Sequence, residues 1–288
     1  MGGKTGENVF LNGEFTDFSQ AVISINDRGF LFGDGVYEFV ACYYGKIFQL
    51  QEHLARLERS AEALEIKIPY TREQLSSYAA ELLHRSGLER AGLYIQVTRG
   101  IAPRIHHFPK SATPTVLMTV RELPTNPQEV YSRGVKVLLV PDERWANCYI
   151  KTLNLVPNIL AKEKAVRAGA FEAVFEHPQL GITEANSSNV FAVFEGKLVT
   201  APLEGRILGG ITRATVLQLA RQEGLTIAER YMTREELLGA EEAFLTNTPD
   251  GVVPIRAIVD GPEIGNGRPG LITKLIRERY LELVESLK

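Results

Sequence analysis

The stretch WANCYIKTLNLVPNIL, residues 145–160, holds a single charged side chain, Lys151, among apolar and small polar neighbours. An ammonium ion in such company is partly desolvated. Desolvation lowers a lysine's pKa and makes the neutral, nucleophilic amine accessible, which is what Schiff-base chemistry requires. The other reading of the same residues is a snorkelling lysine, its stem packed on apolar neighbours and its head in solvent. The pattern alone leaves both open, so the weight falls on what the chain carries on either side.

Downstream, Glu184 stands in GITEANSSNVFAV, a carboxylate followed by small polar side chains that lead into an apolar strand. Held beside a heteroaromatic nitrogen it would keep that nitrogen protonated; taken singly it is a turn glutamate. Further on, Gly209-Gly210-Ile211-Thr212 opens a helix. Unpaired amides and the helix dipole make such a start a ready phosphate site, although a plain glycine turn with a threonine cap fits as well. Upstream, in APRIHHFP, Arg104 and His106 are two apart and point the same way if the loop is extended, a guanidinium and an imidazole suited to trapping a carboxylate. Solvated loop residues are the alternative. The adjacent histidines have no Cys, Asp or Glu at ligand spacing, and no metal is expected.

The wider composition bounds the function. The chain has 288 residues, 44% of them hydrophobic, enough for two ordinary domains with a substantial core. Lys and Arg number 32 against 35 Asp and Glu, so a net charge of −3 offers no general attraction to nucleic acid or an anionic membrane. Two distant cysteines, Cys42 and Cys148, argue against a disulfide framework and for a reducing cytosol. The first residues, MGGKTGENVF, lack the apolar core of a signal peptide, and no stretch approaches the ~18 apolar residues of a membrane span. A soluble, cytoplasmic protein is expected. Gly3-Lys4-Thr5 mimics the end of a P-loop without the upstream glycine or strand, and Gly2 lacks the hydroxyl residue of an acylation signal because Gly6 stands there.

Turn and period signals predict a hairpin over 8–14 at Asn12-Gly13, and a second over 37–49 at Gly45. They also predict helices over 50–64 and 71–86, the latter capped by Thr71 and stopped by Gly87, then strands over 92–98 and 115–121. The proline-broken LPTNPQ at 123–128 reads as a linker. A smaller N-terminal domain over 1–123, a linker over 124–130 and a larger C-terminal domain over 131–288 follow. The second part predicts strands over 134–140, 173–176, 189–195, 197–201 and 243–246, with helices over 158–167, 212–223 and from 270 onward. Without a regular βαβ alternation, two α+β domains are preferred over a doubly wound sheet. No internal repeat or low-complexity tract is seen.

Seven segments in register resemble the fold-type-IV pyridoxal-phosphate aminotransferases over nearly the whole chain: RGFLFGDGVYEFV from Arg28, EHLARL from Glu52, VTRGIAPRIHHFP from Val97, IKTLNLVPNILAKEKA from Ile150, ITEANSSNVF from Ile182, LGGITR from Leu208 and FLTNTPDGVVPI from Phe244. The PRxH signature at 103–106 is similar to that of the D-amino-acid aminotransferase group. The resemblance implies a two-domain α+β fold with its site at the domain interface. It implies pyridoxal 5'-phosphate held by Lys151 and paired through Glu184, with Arg56, Ile211, Thr212 and Thr248 on the phosphate and Leu208 on the ring. It places Tyr37, Arg104 and His106 in a carboxylate trap, with His53 near it and Phe39 beside the substrate. Arg104 and His106 would come from the partner of a homodimer. The implied activity is transamination between a D-amino acid, such as D-alanine or D-glutamate, and 2-oxoglutarate or pyruvate. A branched-chain L-aminotransferase, an (R)-amine transaminase or an aminodeoxychorismate lyase on the same fold is the nearest rival, and a non-catalytic binding protein a more distant one. Four positions depart from the family pattern: Ala185 and Asn186 after the glutamate, Asn247 where serine is usual before Thr248, and Phe39, larger than the aliphatic residue expected beside the substrate and so expected to narrow the side-chain pocket.

Overall fold

Asn12 and Gly13 both adopt positive φ, 52° and 99°, the backbone a two-residue hairpin demands and Asn-Gly supplies at little cost. They join β1 (Thr5–Leu11) to β2 (Glu14–Asp17) in antiparallel register. After the short α1 (Arg28–Phe32), a second positive-φ pair, Tyr44 and Gly45, folds β3 (Gly35–Tyr43) onto β4 (Lys46–Ile47). The computed structural model describes residues 5–288, so the readings of Gly2 and of Gly3 and Lys4 lie outside the described residues.

Two compact units are present. The first comprises the chain up to Pro124 with Ile150–Asn154 and Leu287–Lys288. Its sheet of six strands runs β2-β1-β6-β5-β3-β4, with β5 at Ala91–Thr98 and β6 at Thr115–Glu122. Helices α2 (Leu50–Ala63) and α3 (Arg72–Ser86) supply Leu54, Leu57, Leu75 and Leu82 to a core shared with Phe10, Val36, Val40, Leu93, Ile95 and Met118 of the strands. Thr71 and Gln74 form a reciprocal capping box at the start of α3, and Gly87 ends it with φ 63°. Strand alternation in β3 turns Val36, Glu38 and Val40 into that core, while Tyr37 and Phe39 stand half-buried on the opposite face.

The second unit comprises Thr125–Tyr149 and Leu155–Ser286. It contains α4 (Gln128–Ser132), β7 (Val135–Pro141), α5 (Val156–Arg167), β8 (Glu172–His177), β9 (Gly181–Ala185), β10 (Asn189–Phe194), β11 (Lys197–Thr200), α6 (Ile211–Gln222), β12 (Ile227–Glu229), α7 (Arg234–Leu238), β13 (Glu242–Asn247), β14 (Gly251–Ile258) and α8 (Leu271–Glu285). The eight strands run β12-β11-β10-β13-β14-β7-β8-β9. Parallel pairs at β11–β12, β14–β7 and β7–β8 mix with antiparallel ones, so the mixed α+β architecture expected from the element order is present. Phe191 and Phe244, paired across β10 and β13, stack with ring centroids 5.0 Å apart.

Several elements were not foreseen. Glu184 belongs to strand β9, which corrects its reading as a turn residue. The five residues of β9 are too few and too polar to show a period; pairing with β8, and Ile182 bridging Met232, makes them a strand. In β14 the interior Pro254 argues against a strand, yet pairing with β7 begins only at Ile255. Helices α1, α4 and α7 span five residues each, below the length at which periodicity is readable.

Candidate active site

Lys151 lies in an extended stretch hydrogen-bonded along the start of β3. Tyr37 donates its N–H to the Lys151 carbonyl at 3.0 Å, Leu153 donates to the Gly35 carbonyl at 3.1 Å, and the Lys151 N–H donates to Ser60 Oγ at 3.2 Å. The backbone is thus held on both sides of the amine. Lys151 itself is half-buried, with Nζ 4.3 Å from the centroid of the Tyr37 ring, so the side chain lies over an aromatic face instead of extending freely into water. Tyr94 stands beside Tyr37, centroids 5.7 Å apart, and donates to Gln96 Oε1 at 2.8 Å; burial pushes its hydroxyl up to about 12.

Behind β3, the fully buried Glu38 takes Arg56 through both carboxylate oxygens at 2.7 Å and His53 Nδ1 at 2.7 Å. Burial alone would raise the Glu38 carboxyl, but Arg56 and His53 hold it down at about 2. Burial lowers His53, against the pull of Glu38, so a neutral imidazole donating its Nδ1 hydrogen fits the contact. Sequence reasoning singled out His53 and Arg56 and missed Glu38. The signal was available: alternation in VYEFV puts one charge on the core face with Val36 and Val40.

The loop after β5 brings Arg104 and His106 to one side chain. The Arg104 guanidinium carbon lies 5.2 Å from the Phe32 ring centroid, and the His106 ring meets Phe32 edge-on at 5.7 Å. Both are exposed. Arg28 fixes the loop by donating to the Ile105 carbonyl at 2.6 Å and the His106 carbonyl at 3.4 Å, and to Asp34 Oδ2 at 2.7 Å. Arg99 also grips Asp34, at 2.8 Å, and donates to the Leu64 and Glu65 carbonyls. Burial would raise Asp34, yet the two arginines hold it below the usual carboxylate range. Arg28 and Asp34 are six residues apart, but Arg99 lies 65 residues from Asp34 and the loop carbonyls 77 and 78 from Arg28, so the network carries no local signal.

In the second unit the buried Glu184 is fully engaged. Oε1 accepts from Arg144, while Oε2 accepts from Asn189 Nδ2 at 3.1 Å and from the Leu208 N–H at 2.9 Å. Burial pushes its carboxyl up, opposed by Arg144 and by the Leu208 amide. Arg144, unremarked in the sequence, also pairs with Asp142 at 2.8 Å and lies 4.2 Å over the Phe175 ring. Asn189 Nδ2 donates as well to the Leu208 carbonyl at 2.9 Å, clasping that residue to Glu184. Its Oδ1 would stand 2.1 Å from any Cβ placed on Gly210. A side chain at 210 would have to displace the Asn189 amide. Gly210 precedes α6 as its N-cap with no side-chain cap, so the helix begins at Ile211 with buried Thr212 second, and Thr212 is not the cap.

The departures at 186 and 247 are internal braces. Asn186 exchanges hydrogen bonds with the Ala173 backbone and accepts from Asn158 at 2.8 Å. Asn247 donates to Ser188 Oγ at 3.0 Å and Asp250 Oδ2 at 3.0 Å, and accepts from the Asp250 N–H at 2.7 Å, closing the turn that carries Thr248. Ser188 in turn donates to the buried Glu172 at 2.7 Å. Nothing in the structure explains Ala185.

A family model described as amino-transferase class IV matches residues 35–258. The chain is 39% identical to a D-alanine aminotransferase of Staphylococcus haemolyticus over 278 residues, 96% of this chain and 98% of that protein. It is 42% identical to a D-alanine aminotransferase of Bacillus licheniformis over 270 residues, 93% and 94% of the two. Among solved structures, the holo, PLP-bound form of a branched-chain amino acid aminotransferase from Thermobaculum terrenum superposes with a TM-score of 0.87 at 25% identity, covering 99% of this chain and 96% of that one.

Proposed function

The chain belongs to the amino-transferase class IV family, and from that premise we propose that it transfers an amino group between a D-amino acid and a 2-oxo acid with pyridoxal 5'-phosphate. The observation that carries the reading is Lys151, a half-buried amine over the Tyr37 ring on a backbone braced at both sides. The donor set fits the cofactor. Lys151 would hold it covalently, Glu184 would pair with its ring nitrogen, and Leu208 would pack on its ring. Arg56, the Ile211 N–H, Thr212 and Thr248 would hold its phosphate. Gly210 caps α6 without a side chain, so no cap hydroxyl or carboxylate competes with an anion for the first N–H groups of the helix.

Pyridoxal phosphate, when bound, supplies the electron sink that lets an amino acid's Cα–H ionise. The protein supplies position and protons. With its amine free, Lys151 Nζ would take the Cα proton of the donor, and the same amine would deliver a proton to Cα of the acceptor. Glu184 keeps a proton at the ring nitrogen, its own carboxylate steadied by Arg144, Asn189 and the Leu208 N–H. The substrate carboxylate is taken by Tyr37, Arg104 and His106, whereas His53 is spent on Glu38 behind β3 and stands apart from that trap. Exposed Arg104 and His106 suit a homodimer in which each copy completes the other's trap. The PRxH signature and the near full-length likeness to D-alanine aminotransferases support a donor of the D series. No described helix is long and apolar enough to cross a membrane, and two free cysteines fit the cytoplasm.

A donor panel tests the reading. D-alanine and L-leucine, each offered separately with 2-oxoglutarate, should show turnover with the D-amino acid only, and Lys151→Ala should abolish it. Preference for L-leucine would move the protein to the branched-chain activity. Full turnover in the alanine variant would remove Lys151 from the chemistry.

A further inference from the structure

Tyr37 and Phe39 are two residues apart on β3 and share the sheet face turned away from the α2–α3 core. Tyr37 meets Lys151 Nζ, and Phe39 is the next side chain along that face, roughly 7 Å on. A phenylalanine standing upright there would crowd the space beside the amine. Its ring instead reaches diagonally across to β5. Register pairs Phe39 with Tyr94 and Ala41 with Gly92. A Cβ built on Gly92 would lie 2.3 Å from the Phe39 Cζ and 2.7 Å from its Cε2. The ring therefore leans toward the Ala41 end of the strand, away from Tyr37, into a seat that a side chain at 92 would fill. Gly92 has no positive φ, so the backbone does not require glycine at this position; the close approach of the ring does.

We propose that Gly92 sets the size of amino-acid side chain the enzyme accepts, by seating the Phe39 ring away from the amine; this rests on the transaminase reading above. With the seat filled by a methyl group, the ring is driven off the strand and back toward Tyr37, where it occupies the room a larger substrate side chain needs. A small methyl donor such as D-alanine is least affected.

The holoenzyme, Gly92→Ala, Phe39→Ala and the double variant are compared in two assays. The first is kcat/KM for D-glutamate relative to D-alanine. The second is equilibrium binding of unreactive propanoate and hexanoate, followed by near-ultraviolet circular dichroism. Gly92→Ala is expected to lower the glutamate-to-alanine ratio by about tenfold, the scale at which a pocket discriminates one or two carbon atoms, and to weaken hexanoate more than propanoate. Adding Phe39→Ala should restore both, and Phe39→Ala alone should shift both toward the larger ligand. The idea is overturned if Gly92→Ala affects both sizes alike, or if removing the ring restores nothing. Should Gly92→Ala fail to fold alone, the double variant is compared with Phe39→Ala: matching size preferences support a methyl group that acts only through the ring, and a loss of the larger ligand in the double variant overturns it. If no donor of either hand is turned over, the transaminase reading fails on its own, and the two acids still decide whether Gly92 controls the space.

Discussion

Glu38 shows what a single buried charge does to this molecule. Its carboxyl sits at about 2 in the folded protein against an ordinary 4.5, so its stabilising contribution is complete above 4.5 and is lost as the pH falls toward 2. The contribution is on the order of 3 kcal/mol. His53, depressed by burial from 6.5, works in the same direction, because the unfolded chain takes up a proton that the folded imidazole refuses, and added acid therefore favours unfolding. Glu38→Gln should destabilise at neutral pH by about 3–5 kcal/mol, the cost of breaking a buried pair. It should also flatten the acid limb of the stability profile. Urea denaturation at a series of pH values from neutral into the acid range measures both, and an unaltered acid limb would show that Glu38 is not its source. Asn247 is another residue with its bonds spent on the turn before Asp250. Asn247→Ala should weaken cofactor binding several-fold through Thr248 while leaving the fold intact, as fluorescence titration with pyridoxal phosphate would show.

The start of α6 depends on one glycine meeting one asparagine. Asn189 clasps Leu208 and Glu184 from the first residue of β10, and any Cβ at 210 collides with it. Gly210→Ala should push the Asn189 amide aside, loosen Leu208 and misplace the first N–H groups of the helix. The expected result is at least about tenfold weaker cofactor binding, equal to about 1.4 kcal/mol, with the melting temperature little changed. Equal affinity in the variant would mean that the helix start takes no phosphate. A longer reach than this is not visible in LGGITR as a string. The two glycines announce a turn, but not that Asn189, nineteen residues earlier than Leu208 in the chain, is what forbids a side chain there.

Assembly offers its own test. If Arg104 and His106 act on the partner's Lys151, then Lys151→Ala and Arg104→Ala are each inactive as homodimers. Refolded or expressed together, they should form mixed dimers in which one site has both wild-type residues, and a measurable share of activity should return. Sedimentation must first show a dimer. No recovery in verified mixed dimers would place both residues in the same copy's site.

Turns, caps and hydrophobic periods are short-range signals, and they were enough to place the Asn12-Gly13 and Gly45 hairpins, the Thr71–Gly87 helix and most strands of both sheets. The seven ordered segments were enough for the family, because so many spaced matches do not arise by chance. The absence of charge around Lys151 draws attention to it but fits a snorkelling side chain as well, and only the resemblance of the flanking segments gives it a role. What remained unreadable depends on partners distant in the chain: β9 becomes a strand only against β8, and Ile150–Asn154 becomes extended only along β3. Glu38 and Arg144 take their roles from Arg56 and Glu184. A residue's neighbours in sequence fix its local backbone, whereas the partner of a buried charge and the seat of an aromatic ring are chosen only when the chain packs and water is excluded.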